Sequence, residues 1–447
     1  MNNRLIKYIA TLLLIVSCSA AAEASGIAVN ASAGRGTADS LVLSNIIKQV
    51  LDQHPSIREA QEAIKTADAR IALAKTAYQP NVDGNASYTR IGPAPSFDFP
   101  GFGKISLAPA DNYTASIDYH QNIYDFGKTA SEVAVETENR ELAKLSIDQI
   151  KQRLAITVVN TFYTLAFLQE SIIIKEQQIT TLHEHLDFVN KKKETGSATQ
   201  YEVITTKVKI SATENQKLDL EAAIEIQQGI LNVLMGQPAN TVIHAKTEQV
   251  ASLIALQSDS LLSYAFNHRD EMKISREKNN IAKLRLKAIQ TELKPSLSAF
   301  ASVGGKNGYV PDINKYTANF AAGIGLKVPI IDAYRNRSNM QLAKSAITSN
   351  SLDTEVTKRT IINDVVENDA NRETALKKID QYKLQLDQAL EAQDLAENSY
   401  KAGAITNLDL IDATMTVAES RLQLLKSKID YSVSLYRLKM ALGDRLY

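Results

Sequence analysis

The 447-residue sequence has one cysteine, Cys18, and no tryptophan. A single thiol excludes an internal disulfide framework and any cysteine-rich zinc or iron–sulfur site. Aromatics are only 6% of the chain, so its core must rest on aliphatic and small side chains, which suits long helices packed closely. Charge of one sign is missing too: 50 Lys and Arg against 50 Asp and Glu leave a formal net charge of +0. With no global basic field, no nucleic-acid partner is expected. Helix breakers are scarce over two long stretches. Lys128 to Thr195 contains neither Gly nor Pro over 68 residues, and Ala333 to Ala402 neither over 70. If helical throughout, each is ~100 Å long at ~1.5 Å per residue, more than a globular domain uses.

Long hydrophobic runs are absent after the N-terminus. Met1 to Ala24 has a basic start at Arg4 and Lys7, an apolar run from Ile9 to Val16, then small residues, and reads as a secretory signal. Two processing sites compete: Ala22-Glu23-Ala24, giving a signal of 1–24, or the lipobox-like Ile15-Val16-Ser17-Cys18, giving a signal of 1–17 and a lipid on Cys18. Beyond Ala24 no run of ~18 apolar residues occurs, so a membrane crossing by the mature chain requires strands closed into a barrel.

What is present is one unit written twice. Asp125 and Asp332, Gly196 and Gly403, Thr199 and Thr406, Glu202 and Asp409, and Gly236 and Gly443 are each 207 residues apart. Upstream, His54 and His268 differ by 214 and Pro80 and Pro295 by 215, so the length change falls between Pro80 and Asp125. The two units are expected at 25–240 and 258–447, with hairpins near 80–124 and 295–331. Each opens with a helical stretch, Asp39 to Gln79 broken at His54-Pro55, or Ser258 to Lys294.

Ala375, Ile379, Tyr382, Leu386, Ala389, Gln393, Ala396 and Tyr400 alternate spacings of four and three, a coiled-coil seam. Leu408, Ile411, Met415, Ala418, Leu422, Leu425, Ile429, Ser432 and Tyr436 continue the rhythm, so the two helices should lie antiparallel. Between them Gly403 supplies a left-handed terminus, Thr406 an N-cap and Asp409 the third position of a capping box; Gly196, Thr199 and Glu202 do the same in the first unit.

Between Pro80 and Asp125 the period falls to two. Tyr113, Ala115, Ile117, Tyr119, Gln121 and Ile123 alternate with polar residues, as do Val82, Ala86 and Tyr88; Leu297, Ala299, Ala301 and Val303, then Phe320, Ala322, Ile324, Leu326 and Val328, do so in the second unit. Strands of this length and alternation mark a transmembrane barrel, though a soluble hairpin with one face on a core shares the pattern. Four strands cannot close a barrel, and bacterial barrels begin at about eight, so copies must share one sheet. The protein is expected to be a homo-oligomer.

At this point the chain resembles the TolC family of outer-membrane channels. The match rests on the duplicated order of elements, Tyr124-Asp125-Phe126-Gly127 opening the first long helix, Leu234-Met235-Gly236, and above all Tyr400-Lys-Ala-Gly403 through Asp409-Leu-Ile-Asp412-Ala-Thr. The resemblance implies a mainly α protein with a small β part, three protomers forming a twelve-stranded barrel in the outer membrane, continued by twelve helices across the periplasm. It implies an exit duct for drugs or secreted proteins, working with a periplasmic adaptor and an inner-membrane pump of the RND or ABC type. Asp409 and Asp412, three apart on one helix face, match the acidic ring of the periplasmic iris and would favour cations. Tyr400 matches the constricting tyrosine and Glu202 its acidic partner. Gly196, Gly403, Thr199 and Thr406 form the tip turns that face the adaptor. Two departures stand out: Ile405 occupies the place of an arginine in the lock, and the tips read Thr195-Gly196-Ser197 and Ala402-Gly403-Ala404 instead of Val-Gly-Leu. For Asp409 and Glu202 helix capping alone is an alternative reading; for Asp412 it is a solvated surface charge.

Other signals fall away. His183-Glu184-His185 lacks the i,i+4 spacing of a zinc helix and reads as solvated surface. Gly101-Phe-Gly103-Lys104 is not a phosphate loop, with Asp98 in place of its first Gly and Ile105 in place of Ser or Thr. Pro93 to Ala110 reads as a long hairpin loop. No cofactor or metal is expected, and no converging nucleophile, base or metal set points to an enzyme. A coiled-coil envelope spacer or adhesin stalk is the alternative function, but a stalk has no need for the two alternating hairpins.

Overall fold

The computed structural model describes residues 42–101, 103–246, 258–330 and 333–447. The signal region with Cys18, as well as Phe102 and Asp332, lies outside them. The chain begins with α1 (Leu43–Gln53) and α2 (Pro55–Lys75), separated at His54, whose extended backbone (ψ 130°) ends one helix while its Nδ1 accepts from the Ser56 N–H at 3.2 Å. The second unit repeats the pair as α5 (Ser258–His268) and α6 (Asp270–Thr291). The single helix expected over 258–294 is therefore broken, at Arg269 (ψ 130°), where no proline stands. Tertiary contacts make this break. Arg269 is buried, its guanidinium bonded to Glu271 at 2.8 Å, Asp364 at 3.0 Å and the Ala441 carbonyl at 3.2 Å. Its backbone also approaches Gly443 so closely that a Cβ there would lie 2.7 Å from the Arg269 nitrogen. The bounds of α1 and α5 differ by 215, as Pro80 and Pro295 do, so the partner of His54 is Arg269 and not His268.

The long elements are α3 (Lys128–Glu194, 67 residues), α4 (Gln200–Met235, 36), α7 (Ala333–Lys401, 69) and α8 (Asn407–Leu442, 36). α4 and α8 begin and end 207 residues apart. Every residue of the Ala375–Tyr400 seam is buried or half-buried, while Leu376, Leu384, Leu390 and Leu395 between them are exposed. On α8 the expected seam shifts: Leu408 is 54% exposed and Leu410 is buried in its place. The reason is that α8 packs on α3 as well as α7 and so buries a wider stripe than a two-stranded seam. Ser420, Ser427 and Ser434 recur at intervals of seven in that stripe, all buried, and small residues of this kind let helix axes approach closely.

The helices lie side by side as a single layer. At one level the order of neighbours is α2, α3, α6, α7; at the other it is α4, α3, α8, α7. Between the levels Ile46, Val50, Phe162, Tyr163, Leu231 and Met235 form the largest core cluster. α3 alone among the described helices is apolar enough over one window to cross a bilayer, and 44% of that window is buried inside the protein.

The sheet runs β1 (Asn81–Arg90), β4 (Asp111–Tyr124), β5 (Ser296–Lys306), β6 (Thr317–Lys327), all antiparallel. β2 (Ser96–Phe99) and β3 (Gly103–Ser106) form a separate ribbon within the segment expected to be a plain loop, turning near Gly101 at φ 89°. The alternating residues Ser96-Phe97-Asp98-Phe99 explain the added strand. The register places Val82 opposite Tyr119, Ile117 opposite Gly84 and Val303, Val303 opposite Phe320, and Ala299 opposite Ile324. Directly opposed residues point to one side, so the four apolar rows share one face. Val82, Ile117, Val303, Phe320, Ile324 and Leu326 on it are all exposed. The other face is polar: Asp118 accepts from Asn85 at 2.7 Å, Ser116 at 2.9 Å and Ser302 at 2.5 Å, tying three strands. Phe300 intrudes there, and Gly323 opposite makes room for its ring, 2.7 Å from where a Cβ would be.

Sheet and helix meet at Tyr124-Asp125-Phe126-Gly127. A register shift follows Asn122, after which Tyr124 still pairs with Leu297 before the strand ends. Phe126 (φ 53°) and Gly127 (φ 92°) then turn the chain in left-handed conformations. Buried Asp125 accepts from the Gly127 N–H at 3.1 Å and the Thr129 N–H at 2.8 Å, capping α3.

Candidate functional site

The two helix reversals at the far end are built alike. Gly196 (φ 77°) and Gly403 (φ 76°) take the left-handed conformation that a side chain disfavours. Ser197 N–H bonds back to the Lys192 carbonyl at 2.8 Å, and Ala404 N–H to the Ser399 carbonyl at 2.9 Å, closing the last turn of α3 and of α7. Thr199 and Thr406 then open α4 and α8 with complete capping boxes, Glu202 and Asp409 reaching back to the cap N–H at 3.1 and 2.9 Å.

Glu202 does more than cap. Its Oε1 serves Thr199, while its Oε2 accepts from the Tyr400 hydroxyl at 3.0 Å. This bond joins the start of α4 to the end of α7, and so links the two coiled-coil pairs of one chain. Tyr400 is 4% exposed and sits in a cluster with Val189, Val203 and Leu410. Burial, then the bond to the Glu202 carboxylate, hold its phenol well above the usual tyrosine range. Ile405 is half-buried against the same cluster.

Three residues that spacing did not single out complete the site. Lys192 donates to the Tyr400 carbonyl at 3.2 Å and holds its ammonium 4.4 Å from the Tyr400 ring centroid, a cation–π contact. His185 lies edge-on to the same ring at 5.4 Å, and its Nε2 bonds to Asn407 Oδ1 at 2.6 Å. Asn407 is buried and bridges back to α4 through Thr206 Oγ1 at 3.3 Å. The reading of His183-Glu184-His185 as solvated surface is thus corrected for His185: His183 is exposed, but His185 is half-buried, and burial holds its imidazole below the ordinary value. A signal existed: Leu182, His185, Val189 and Lys192 have the three-four-three spacing of a seam.

Asp409 and Asp412 are both exposed on one side of α8. Asp409 is engaged within its own turn, accepting from Thr406 N–H at 2.9 Å and Thr406 Oγ1 at 2.7 Å. The Thr406 hydroxyl and then its backbone N–H hold this carboxyl below the usual carboxylate range, opposing the rise that repulsion in a ring would cause. The Asp412 carboxylate makes no hydrogen bond or ion pair among the described residues. The tip therefore brings Tyr400 and Glu202 together directly, and leaves Asp412 free to face whatever lies beside α8.

Fold and site together define a class: an outer-membrane channel subunit, a sheet with an apolar face carried on a layer of helices that reaches into the periplasm. A family model described as outer membrane efflux protein matches residues 46–237 and 262–444. The outer membrane protein TolC of Vibrio cholerae is 20% identical over 92% of this chain and 94% of its own. The alkaline protease secretion protein AprF of Pseudomonas aeruginosa is 20% identical over 74% of this chain and 70% of its own. The solved structure of VceC, an outer membrane protein of Vibrio cholerae, superposes with a TM-score of 0.72 at 18% identity and covers 91% of this chain and 97% of that one. The chain belongs to the outer membrane efflux protein family.

Proposed function

We propose that three copies of this chain assemble into one duct and serve as the passive outer-membrane exit of a tripartite efflux pump or type I secretion system. The observation that carries the proposal is the open sheet. Among the described residues β1 is paired only with β4 and β6 only with β5, so each copy presents two bare edges, and its apolar face is exposed along its length. Bare edges and an apolar face are costly in water and are satisfied together when several copies close a barrel in lipid. The helices have the same open form, with α7 at one margin and α2 or α4 at the other. Exposed leucines on α7 and Tyr201, Ile204 and Val208 on α4 supply apolar surface for a neighbouring copy.

In this reading residues 25–240 and 258–447 are two repeats contributing equally to the wall. The turns at Gly196 and Gly403, with Thr199 and Thr406, meet a periplasmic adaptor, through which an inner-membrane RND or ABC pump delivers its cargo. Tyr400 and Glu202 form a closing link, and Asp409 and Asp412 an acidic constriction. The test is the mass of the purified protein in detergent together with its conductance in planar bilayers. Three chains and a discrete conductance are expected; a monomer, or three chains with no conductance, rejects the duct.

A further inference from the structure

We infer that His185 is a positioning residue of the closing link, and that its protonation opens the tip: neutral, it holds α8 against Tyr400; charged, it favours the parted arrangement. This rests on the gate reading above.

The proton count follows from the neighbours. The Asn407 side-chain nitrogen faces Thr206 Oγ1 at 3.3 Å and the Glu202 carbonyl at 3.5 Å, and a carbonyl only accepts. Asn407 therefore turns its oxygen to the ring, and Nε2 of His185 carries the hydrogen across the 2.6 Å contact. The neutral imidazole is complete in this role, and a second proton must go to Nδ1. That proton brings a charge into a crowded place. The ring is packed on Tyr400 and lines a cavity of about 150 Å³ between α3, α7 and α8.

Every charged group around the ring can be placed. α3 contributes Glu184 and Lys192, α4 contributes Glu202, and α7 contributes Glu397 and Lys401; the α8 neighbours Asn407, Leu410 and Thr414 are uncharged. Glu202 and Glu397 favour the imidazolium, as does the Asn407 oxygen, while Lys192 opposes it. Burial is the largest influence and decides the sign: the closed tip disfavours the charged ring. When α7 and α8 move away, the ring regains water and its ordinary value near ~6.5. The open arrangement thus binds the proton more tightly, so closure is strongest above that value and weakens as the pH falls through it.

The experiment is single-channel conductance at about pH 8 and about pH 5.5, where carboxylates of ordinary value remain charged. Four proteins are compared: the wild type, His185→Gln, His183→Gln and Tyr400→Phe. The wild type should gain about twofold or more in conductance on acidification. His185→Gln keeps an amide donor for Asn407 but lacks the titrating nitrogen, so its conductance should be the same at both values and stay below that of the acidified wild type, whereas His183→Gln should respond like the wild type. A pH-independent wild type, or a response that survives in His185→Gln, overturns the inference. So does a His185→Gln channel that already conducts at about pH 8 as well as the acidified wild type, since that reduces the ring to packing. Failure of the gate reading looks different: Tyr400→Phe then conducts like the wild type at pH 8.

Discussion

Glu202 carries two duties on two oxygens, and separating them shows how a cap and a link share one side chain. Tyr400→Phe deletes a donor to a carboxylate, a contribution of about 1.5–3 kcal/mol, and should raise single-channel conductance. Glu202→Gln retains an oxygen for the Thr199 cap but loses the second acceptor, so it should raise conductance with little loss of stability. Glu202→Ala should in addition destabilise by about 0.5–2 kcal/mol in thermal melts, as capping residues do. Equal conductance in Glu202→Gln and wild type counts against the link. Asp409 and Asp412 give a second residue-level prediction. Replacing both by Asn should lower cation selectivity and block by multivalent cations in bilayers, and unchanged block removes the acidic constriction. For Asp409 the sign is fixed by its cap: its carboxyl is held below the usual range, so the charge and the cap are complete at neutral pH and are lost only as pH falls through that depressed value. These residues were legible because turn chemistry is local: a glycine, a threonine and an acid at fixed offsets specify a reversal. Lys192, His185 and Asn407 were not, because their roles come from helices 200 or so residues apart in sequence meeting at one ring.

At the scale of the element, strand alternation was readable and its consequence is sharp. Ile117 faces Gly84 and Val303 on the apolar side, while Ser116 faces Asn85 and Gly304 on the polar side. Ile117→Lys should therefore cost about 2–4 kcal/mol in a bilayer, seen as a lower urea midpoint or failed assembly in vesicles, whereas Ser116→Lys should insert normally. Equal tolerance at both positions means that the face assignment is wrong. The break between α5 and α6 was not readable. His54-Pro55 announces its own helix break through proline, but Arg269 is bent by ion pairs and by the approach of Gly443, partners no local window contains. The register shift near Ile123 is likewise set by the corner at Phe126 and Gly127 and not by alternation.

For the whole molecule, the spacing of landmarks carried more information than any single motif. α4 and α8 are each 36 residues long and start 207 residues apart, and their reversals share the same glycine geometry. Length was free to change only where the chain turns between strands, and there the two units do differ: a ribbon of β2 and β3 interrupts the first hairpin, and a shorter connection joins β5 to β6. Removing a single heptad from α7, without its counterpart in α3, would leave half of the tips short of the rest by ~10 Å. In the proposed duct a crenellated rim of this kind would seal poorly against an adaptor, so any change in the depth that the helices span has to be written into this chain twice.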